Sequence, residues 1–113
     1  MNKPVRIILL LVILACLTIP QSRATGATAV VRAVLFFSPT CPHCQQVITE
    51  DLPPILDRYQ DQLQIIGIDT SVQEGALMYQ AAIAHFLIPE HRRGVPALII
   101  GDIVLIGVQE IPE

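Results

Sequence analysis

The chain has 113 residues, which is room for one domain and no more, and its formal net charge is −3. Just over half of its residues, 52%, are hydrophobic. All ten acidic residues lie beyond residue 24, where four arginines are the only Lys or Arg residues. No basic stripe or patch is left there, which disfavours binding to nucleic acid or to an anionic membrane surface.

The N-terminus has the pattern of an export signal. A short basic region over residues 1–6 precedes an uncharged, mostly apolar run over residues 7–20. This run is shorter than the about 20 apolar residues that a membrane-spanning helix needs. It fits the apolar region of a secretory signal, which is about 7–15 residues long. Small residues around Ala24 and around Ala29 suit cleavage by a signal peptidase.

This pattern divides the chain into three parts. We predict a cleaved signal peptide over residues 1–24, a short tether over 25–29 and one domain over 30–113. An uncleaved N-terminal membrane anchor is the alternative. In both cases the domain is extracytoplasmic, in the periplasm or at the outer face of the plasma membrane.

Cys16 lies within the apolar run. Residues 13–16 are loosely similar to a lipoprotein processing site, where the cysteine becomes lipidated, but Leu14 is a poor residue for its place in that pattern. We therefore interpret Cys16 as a small hydrophobic residue of the signal. The exported domain then keeps only Cys41 and Cys44, so it is not a scaffold with several disulfides.

Strands and helices alternate in the predicted domain. Runs of β-branched and apolar residues indicate strands, and apolar residues at helical spacing indicate helices. Pro53 and Pro54 interrupt the first helix, which predicts one kinked helix or two abutting ones. In chain order we predict a strand over 30–37, a helix over 44–52 resumed over 55–60, a strand over 63–69, a helix over 75–87, and two strands over 95–100 and 103–107.

Local signals refine these elements. Thr70 and Ser71 offer side-chain caps for the helix that follows them. Gly101 and Asp102 separate the last two strands and predict a hairpin whose tight turn begins with glycine. The apolar positions at helical spacing in the last helix are Leu77, Ala81, Ala84 and Ile88, with Met78 and Ala82 beside them.

The order of the elements predicts the topology of the sheet. A helix connects the first two strands, which implies parallel pairing with a right-handed crossover. The last two strands are antiparallel to each other. The predicted fold class is therefore α/β, with a mixed central sheet flanked by helices.

Two cysteines lie at the predicted junction between the first strand and the first helix, in the run Cys41, Pro42, His43 and Cys44. The thiolate is the nucleophile in disulfide exchange, and the start of a helix favours a negative charge. Cys41 is therefore the candidate nucleophile, and Cys44, one turn further on, is the resolving thiol. Pro42 suits a first helical turn, and His43 can add a positive charge or a donor beside the sulfur.

This motif, together with Gly94, Val95 and Pro96 before the hairpin, resembles the thioredoxin fold over about residues 30–113. The resemblance implies a cis peptide bond before Pro96. It also implies that Pro96 lies against the cysteines and that the Val95 backbone is presented to a substrate strand. The proline and histidine between the cysteines are similar to those of bacterial periplasmic thiol oxidases.

A longer pattern over residues 38–44, 52–54 and 92–96 resembles the thioredoxin-like domains that accompany bacterial vitamin K epoxide reductase homologues. This resemblance implies a thiol–disulfide oxidoreductase, an oxidant ahead of a reductase or an isomerase. Its substrates would be protein dithiols and disulfides, and its redox partner a quinone-linked membrane protein of the vitamin K epoxide reductase type. It implies no cofactor beyond the disulfide between Cys41 and Cys44.

One position departs from the family. Many members carry a buried acid six residues before the first cysteine, where it assists proton transfer at the second cysteine. That position is Leu35 in this chain. Glu50 and Asp51 are predicted on the solvated face of the helix, so they offer no substitute. Proton transfer then depends on water, which disfavours a reductase.

Other uses of the cysteine pair fit the sequence less well. A zinc site needs about four ligands, and the domain has one cysteine pair, so no metal site is predicted. A c-type haem motif requires histidine after the second cysteine, where the chain has Gln45. A purely structural disulfide would close too short a loop to add much stability. The alternative function is a dithiol metal-handling or lipid-anchored binding module without turnover. His85 and His91 are predicted to be structural or solvent-facing.

The last three residues resemble the start of a helix, because Pro112 is followed by Glu113. The thioredoxin fold has a further helix at this point. We therefore expect a C-terminally truncated domain that lacks this helix, with an apolar patch on one face of the sheet.

Overall fold

The computed structural model describes residues 2–5, 7–8 and 29–112. Residues 3–5 and 7–8 are helical. Most of the predicted signal peptide, including Cys16, and most of the predicted tether lie outside the described residues, as does Glu113. Among the residues described, no helix has the length and apolar character needed to cross a bilayer.

A mixed sheet organises the domain. Its described strands are β1 (Val31–Phe37), β2 (Leu63–Asp69), β3 (Ala97–Ile100) and β4 (Ile103–Ile106), in the order β2-β1-β3-β4. β1 is parallel to β2 and antiparallel to β3, and β3 is antiparallel to β4. The predicted α/β class, parallel crossover and hairpin are all confirmed.

The helical connection between β1 and β2 has three main parts. Helix α1 (Pro42–Gln46) continues into a π-helical turn (Val47–Asp51) and then into helix α2 (Leu52–Tyr59). Pro53 and Pro54 lie in the first turn of α2, where a missing backbone N–H costs no helical hydrogen bond. The predicted kinked helix is confirmed in outline, but it begins at Pro42 rather than at residue 44, and its irregular turn lies before the prolines.

The turn between β3 and β4 has the predicted form. Gly101 has a φ of +58°, whereas the φ of Asp102 is not positive. A positive φ at the first turn position only is the conformation that glycine adopts without a Cβ penalty.

Helix α3 (Gln73–His85) buries a different face from the predicted one. Its buried residues are Gly75, Tyr79 and Ile83, whereas Leu77 is 62% exposed and Met78 is 52% exposed. The predicted stripe is wrong at Leu77, Met78, Ala81 and Ala84, which are exposed, whereas Ala82 and Ile88 do pack into the core. Close packing at Gly75 accounts for the rotation of the helix. A Cβ at Gly75 would overlap the carbonyl oxygen of Asp69 and lie 2.7 Å from its carbonyl carbon.

The predicted caps of α3 are also wrong. Val72 occupies the N-cap and makes no side-chain capping bond. The Thr70 hydroxyl donates instead to the carbonyl of Phe37 at 3.1 Å, and the Ser71 hydroxyl donates to the Asp69 carboxylate at 2.6 Å. These side chains therefore join the ends of β1 and β2 and stabilise the loop before α3.

Each face of the sheet has its own apolar core, because neighbouring residues of β1 point to opposite faces. On one face Leu35 packs with Val47 and Leu52, from the π-helical turn and α2. On the other face Phe36 packs with Tyr79 from α3. The result is a sheet between two helical layers.

The face covered by α2 also carries an open apolar groove of about 520 Å³. Ile55 of α2, Ile65 of β2, Leu105 of β4 and Ile111 are among the residues that line it. The groove matches the apolar patch that the sequence predicts on one face of the sheet.

Replacement of Gly75 by alanine is expected to destabilise the domain. Overpacking a buried contact costs about 1–3 kcal/mol, more than the about 1 kcal/mol that alanine gains over glycine in a helix. The measurement is the midpoint of urea unfolding. Gly94→Ala is the matched control, because a Cβ there meets no atom within 4 Å. A Gly75→Ala protein as stable as the parent would contradict this account of helix packing.

Candidate active site

The two cysteines differ in exposure although they lie one helical turn apart. Cys41 is the N-cap of α1 and is partly exposed, whereas Cys44 is completely buried. Both are free thiols. The backbone N–H of Cys44 donates to the sulfur of Cys41 at 3.4 Å. The backbone N–H of Ser38 donates to the sulfur of Cys44 at 3.5 Å.

These surroundings shift the two pKa values in opposite directions. Burial tends to raise the pKa of Cys41, but hydrogen bonds from the Cys44 thiol and from the backbone N–H groups of Cys44 and His43 hold it below the ordinary value of 9.0. Burial is the main cause that raises the pKa of Cys44 to about 11. The Ser38 N–H opposes that rise, and the negative charge of Cys41 adds to it. Cys41 is therefore the thiol that ionises first.

Pro42 and His43 lie where the sequence places them, and both are exposed. Pro42 occupies the first turn of α1 and has no N–H that would need a partner. His43 contributes its backbone N–H to the stabilisation of the Cys41 thiolate. The positive charge or donor that the sequence predicts at the His43 side chain stays a prediction.

The loop before β3 approaches the cysteines. The peptide bond between Val95 and Pro96 is cis, as the resemblance implies, and Pro96 is fully buried. The thiol of Cys41 donates to the carbonyl of Val95 at 3.7 Å. The fold therefore brings Val95 against Cys41 across 54 residues of sequence.

Tyr79 is a residue of this site that the sequence analysis missed. Its hydroxyl donates to the carbonyl of Gly94 at 2.6 Å and accepts from the N–H of Gly94 at 2.9 Å. The available signal was a lone tyrosine in an aliphatic helical stretch, because a buried tyrosine hydroxyl usually has a hydrogen-bond partner.

Glu110 also contacts the segment that precedes β3. Its carboxylate accepts from the backbone N–H of Ile106 at 2.8 Å and from Arg92 at 2.7 Å. The bond from Ile106 is the main cause that lowers the pKa of Glu110, with a contribution from the charge of Arg92. The N–H of Gly107 also donates to the carbonyl of Pro96 at 2.9 Å.

The prediction that Glu50 and Asp51 both lie on the solvated face of the helix is correct for Glu50 and wrong for Asp51. Glu50 is exposed, but Asp51 is partly buried, and its Oδ2 atom is buried with no hydrogen-bond partner among the residues that the structure describes. The reason is that Asp51 follows the buried Val47 by one turn. Leu35, the position of the family's acid, is buried in the apolar core.

The other two histidines lie on the surface of the domain. His85 and His91 are exposed, as predicted, and the ring of His85 packs edge-on against Phe86. Among residues 2–5, 7–8 and 29–112, no three His, Cys, Asp or Glu side chains form a group that could hold a metal ion.

Comparisons with protein-family models, with curated proteins and with solved structures find no match to this chain. The interpretation of the site therefore depends on its own geometry and chemistry.

Iodoacetamide is expected to modify Cys41 well before Cys44 in the reduced, folded chain. At pH 8 a thiol with a pKa near 11 is ionised in only about one molecule in a thousand, and only the thiolate reacts. Peptide mapping by mass spectrometry measures each cysteine and separates both from Cys16. The denatured chain is the control, where the two should react at similar rates. Equal rates in the folded chain would contradict the assigned asymmetry.

Glu110→Gln is expected to lower the thermal midpoint at pH 7 by a few degrees, since an exposed ion pair contributes about 0–1 kcal/mol. The folded-state pKa of Glu110 is lowered from 4.5. Its contribution is therefore present above pH 4.5 and is lost as the pH falls through the folded-state value. Circular dichroism melts between pH 7 and pH 3 should show the difference shrinking, with the exposed Glu50→Gln as control. A difference that grows in acid would refute this assignment.

Proposed function

We propose that this chain is an extracytoplasmic thiol–disulfide oxidoreductase, with a thioredoxin-like domain over residues 30–113. The observation that carries the proposal is one pair of thiols with opposite pKa shifts, Cys41 and Cys44, of which Cys41 contacts the Val95 carbonyl that precedes cis-Pro96. Such a pair suits reversible disulfide exchange, in which one thiol ionises readily and the other stays protected.

In the proposed reaction the chain begins with a disulfide between Cys41 and Cys44. A thiolate of a substrate protein attacks the sulfur of Cys41, so a mixed disulfide forms and the Cys41–Cys44 bond breaks. Cys44 leaves as a thiolate, meets the N–H of Ser38 and takes a proton from water. The second substrate thiolate then attacks the substrate sulfur of the mixed disulfide. Cys41 is released as a thiolate, the substrate is oxidised, and the chain holds the two electrons.

The lowered pKa of Cys41 favours this direction over reduction of substrates, because a stabilised thiolate favours the dithiol form. A reductase must also remove the proton of Cys44 before this residue can resolve the mixed disulfide. Leu35 is apolar and buried, so it offers no base for the proton. In the oxidising direction Cys44 gains a proton instead, and Cys41, with its lowered pKa, is a good leaving group.

The proposed partners follow from this direction. Protein dithiols are the electron donors, and their backbone would dock beside Val95. The reduced chain must then be reoxidised by a disulfide on another protein. By its sequence resemblance, we infer a quinone-linked membrane protein of the vitamin K epoxide reductase type for this step.

The test of the function is redox equilibration with glutathione, read by gel shift after a maleimide reagent has modified the free thiols. The chain should interconvert between a dithiol and a Cys41–Cys44 disulfide. Cys44→Ser should trap a mixed disulfide through Cys41, and Cys41→Ser should not. A reduced chain that binds one metal ion and does not cycle with glutathione would instead favour the metal-handling module.

Reduction is expected to raise the thermal midpoint of the domain. A thiolate stabilised by the folded structure favours the dithiol form, and for a small domain each kcal/mol shifts the midpoint by roughly 4–8 °C. Melts of the oxidised and reduced chain at pH 7 measure the effect. A variant with both Cys41→Ser and Cys44→Ser is the control and should melt alike in both conditions. An oxidised form that melts clearly higher would rule out a strong oxidant.

A further inference from the structure

The hydroxyl of Tyr79 forms two hydrogen bonds to one residue, Gly94. It donates to the Gly94 carbonyl at 2.6 Å and accepts from the Gly94 N–H at 2.9 Å. Gly94 lies between the short 3₁₀ turn Glu90–Arg92 and β3, outside any helix or strand. Its two backbone groups are therefore satisfied by a side chain, and together the bonds fix the position and the orientation of this residue.

Gly94 directly precedes the contact with the nucleophile. The next residue is Val95, whose carbonyl lies 3.7 Å from the sulfur of Cys41 and whose bond to Pro96 is cis. Gly94 has no side chain of its own, and a Cβ there would meet no atom within 4 Å. Gly94 cannot be held through a side chain, so the Tyr79 hydroxyl holds its backbone instead.

Tyr79 is itself held firmly. It is only 9% exposed, and its ring centroid lies 5.0 Å from that of Phe36. Phe36 belongs to β1, the strand that leads into the cysteine motif. Tyr79 therefore connects the loop before β3 with the strand that positions Cys41.

We propose that Tyr79 is a positioning residue of the disulfide-exchange site. It holds Gly94 and Val95 so that an extended peptide can lie along the Val95 backbone with its sulfur at Cys41. This inference rests on the proposed function. It predicts that loss of the hydroxyl weakens the binding of peptide substrates and leaves exchange with a small thiol intact, because glutathione needs access only to the sulfur.

The experiment compares Tyr79→Phe with Tyr59→Phe in the full chain. Tyr59 is 45% exposed, so its variant is the matched control for the loss of one phenolic hydroxyl. The oxidised proteins react with a peptide dithiol, with an excess of oxidised glutathione to regenerate the Cys41–Cys44 disulfide, and KM and kcat are measured. Loss of the two hydrogen bonds should raise KM about three- to tenfold, with kcat changed by less than about twofold. The glutathione equilibrium and the alkylation rate of Cys41 should stay within about twofold of the parent.

The possible outcomes separate this inference from the proposed function. A folded Tyr79→Phe protein with an unchanged KM overturns the positioning role, and so does a parallel loss of peptide oxidation and Cys41 reactivity, which would indicate general damage. Failure of the parent chain to equilibrate with glutathione overturns the proposed function itself.

A second measurement covers a Tyr79→Phe protein that does not fold. In the parent chain the amide hydrogen of Gly94 should exchange with deuterium at least about tenfold more slowly than an unbonded loop amide. Exchange at the free-peptide rate would overturn the proposal, because the hydrogen bond to Tyr79 would then be absent in solution.

Discussion

The antiparallel register between β1 and β3 is the constraint on which the site depends. Phe36 lies opposite Ala97, so the end of β1 and the start of β3 meet at the same edge of the sheet. The cysteine motif follows β1, and Val95 and Pro96 precede β3, which brings together two segments distant in sequence. If β3 paired with β1 one residue out of register, every side chain of β3 would point to the opposite face of the sheet. Leu98 would then leave its core, and Val95 would move away from Cys41.

The two cysteines differ in pKa because they differ in burial along one helix. Cys41 is at the helix start, where backbone N–H groups without helical partners are available to its sulfur. Cys44 is one turn inside and completely buried; its thiol donates to the sulfur of Cys41, and its sulfur accepts from the N–H of Ser38. The same short helix therefore lowers one pKa and raises the other.

The sequence predicts the strands well because their signal is local. The bounds of β2 are those predicted, and the glycine-first turn follows from Gly101 and Asp102. The cis bond before Pro96 was inferred from family resemblance, since nothing in the composition favours it. The buried face of α3 was missed because it depends on how closely Gly75 approaches β2. The hydrogen bonds between Tyr79 and Gly94 were also missed, because only the tertiary fold brings α3 to the loop before β3.

Two interactions of different kinds stabilise the segment before β3. Tyr79 binds Gly94 through neutral groups, whereas Glu110 binds Arg92 through an ion pair that is about 40% exposed. Protonation of Glu110 in acid removes the charge from the second interaction and leaves the first unchanged. The interaction between Tyr79 and Gly94 is also the nearer of the two to Val95, because Gly94 is the residue before it. The position of Val95 against Cys41 therefore depends more on the interaction that does not respond to acid or salt.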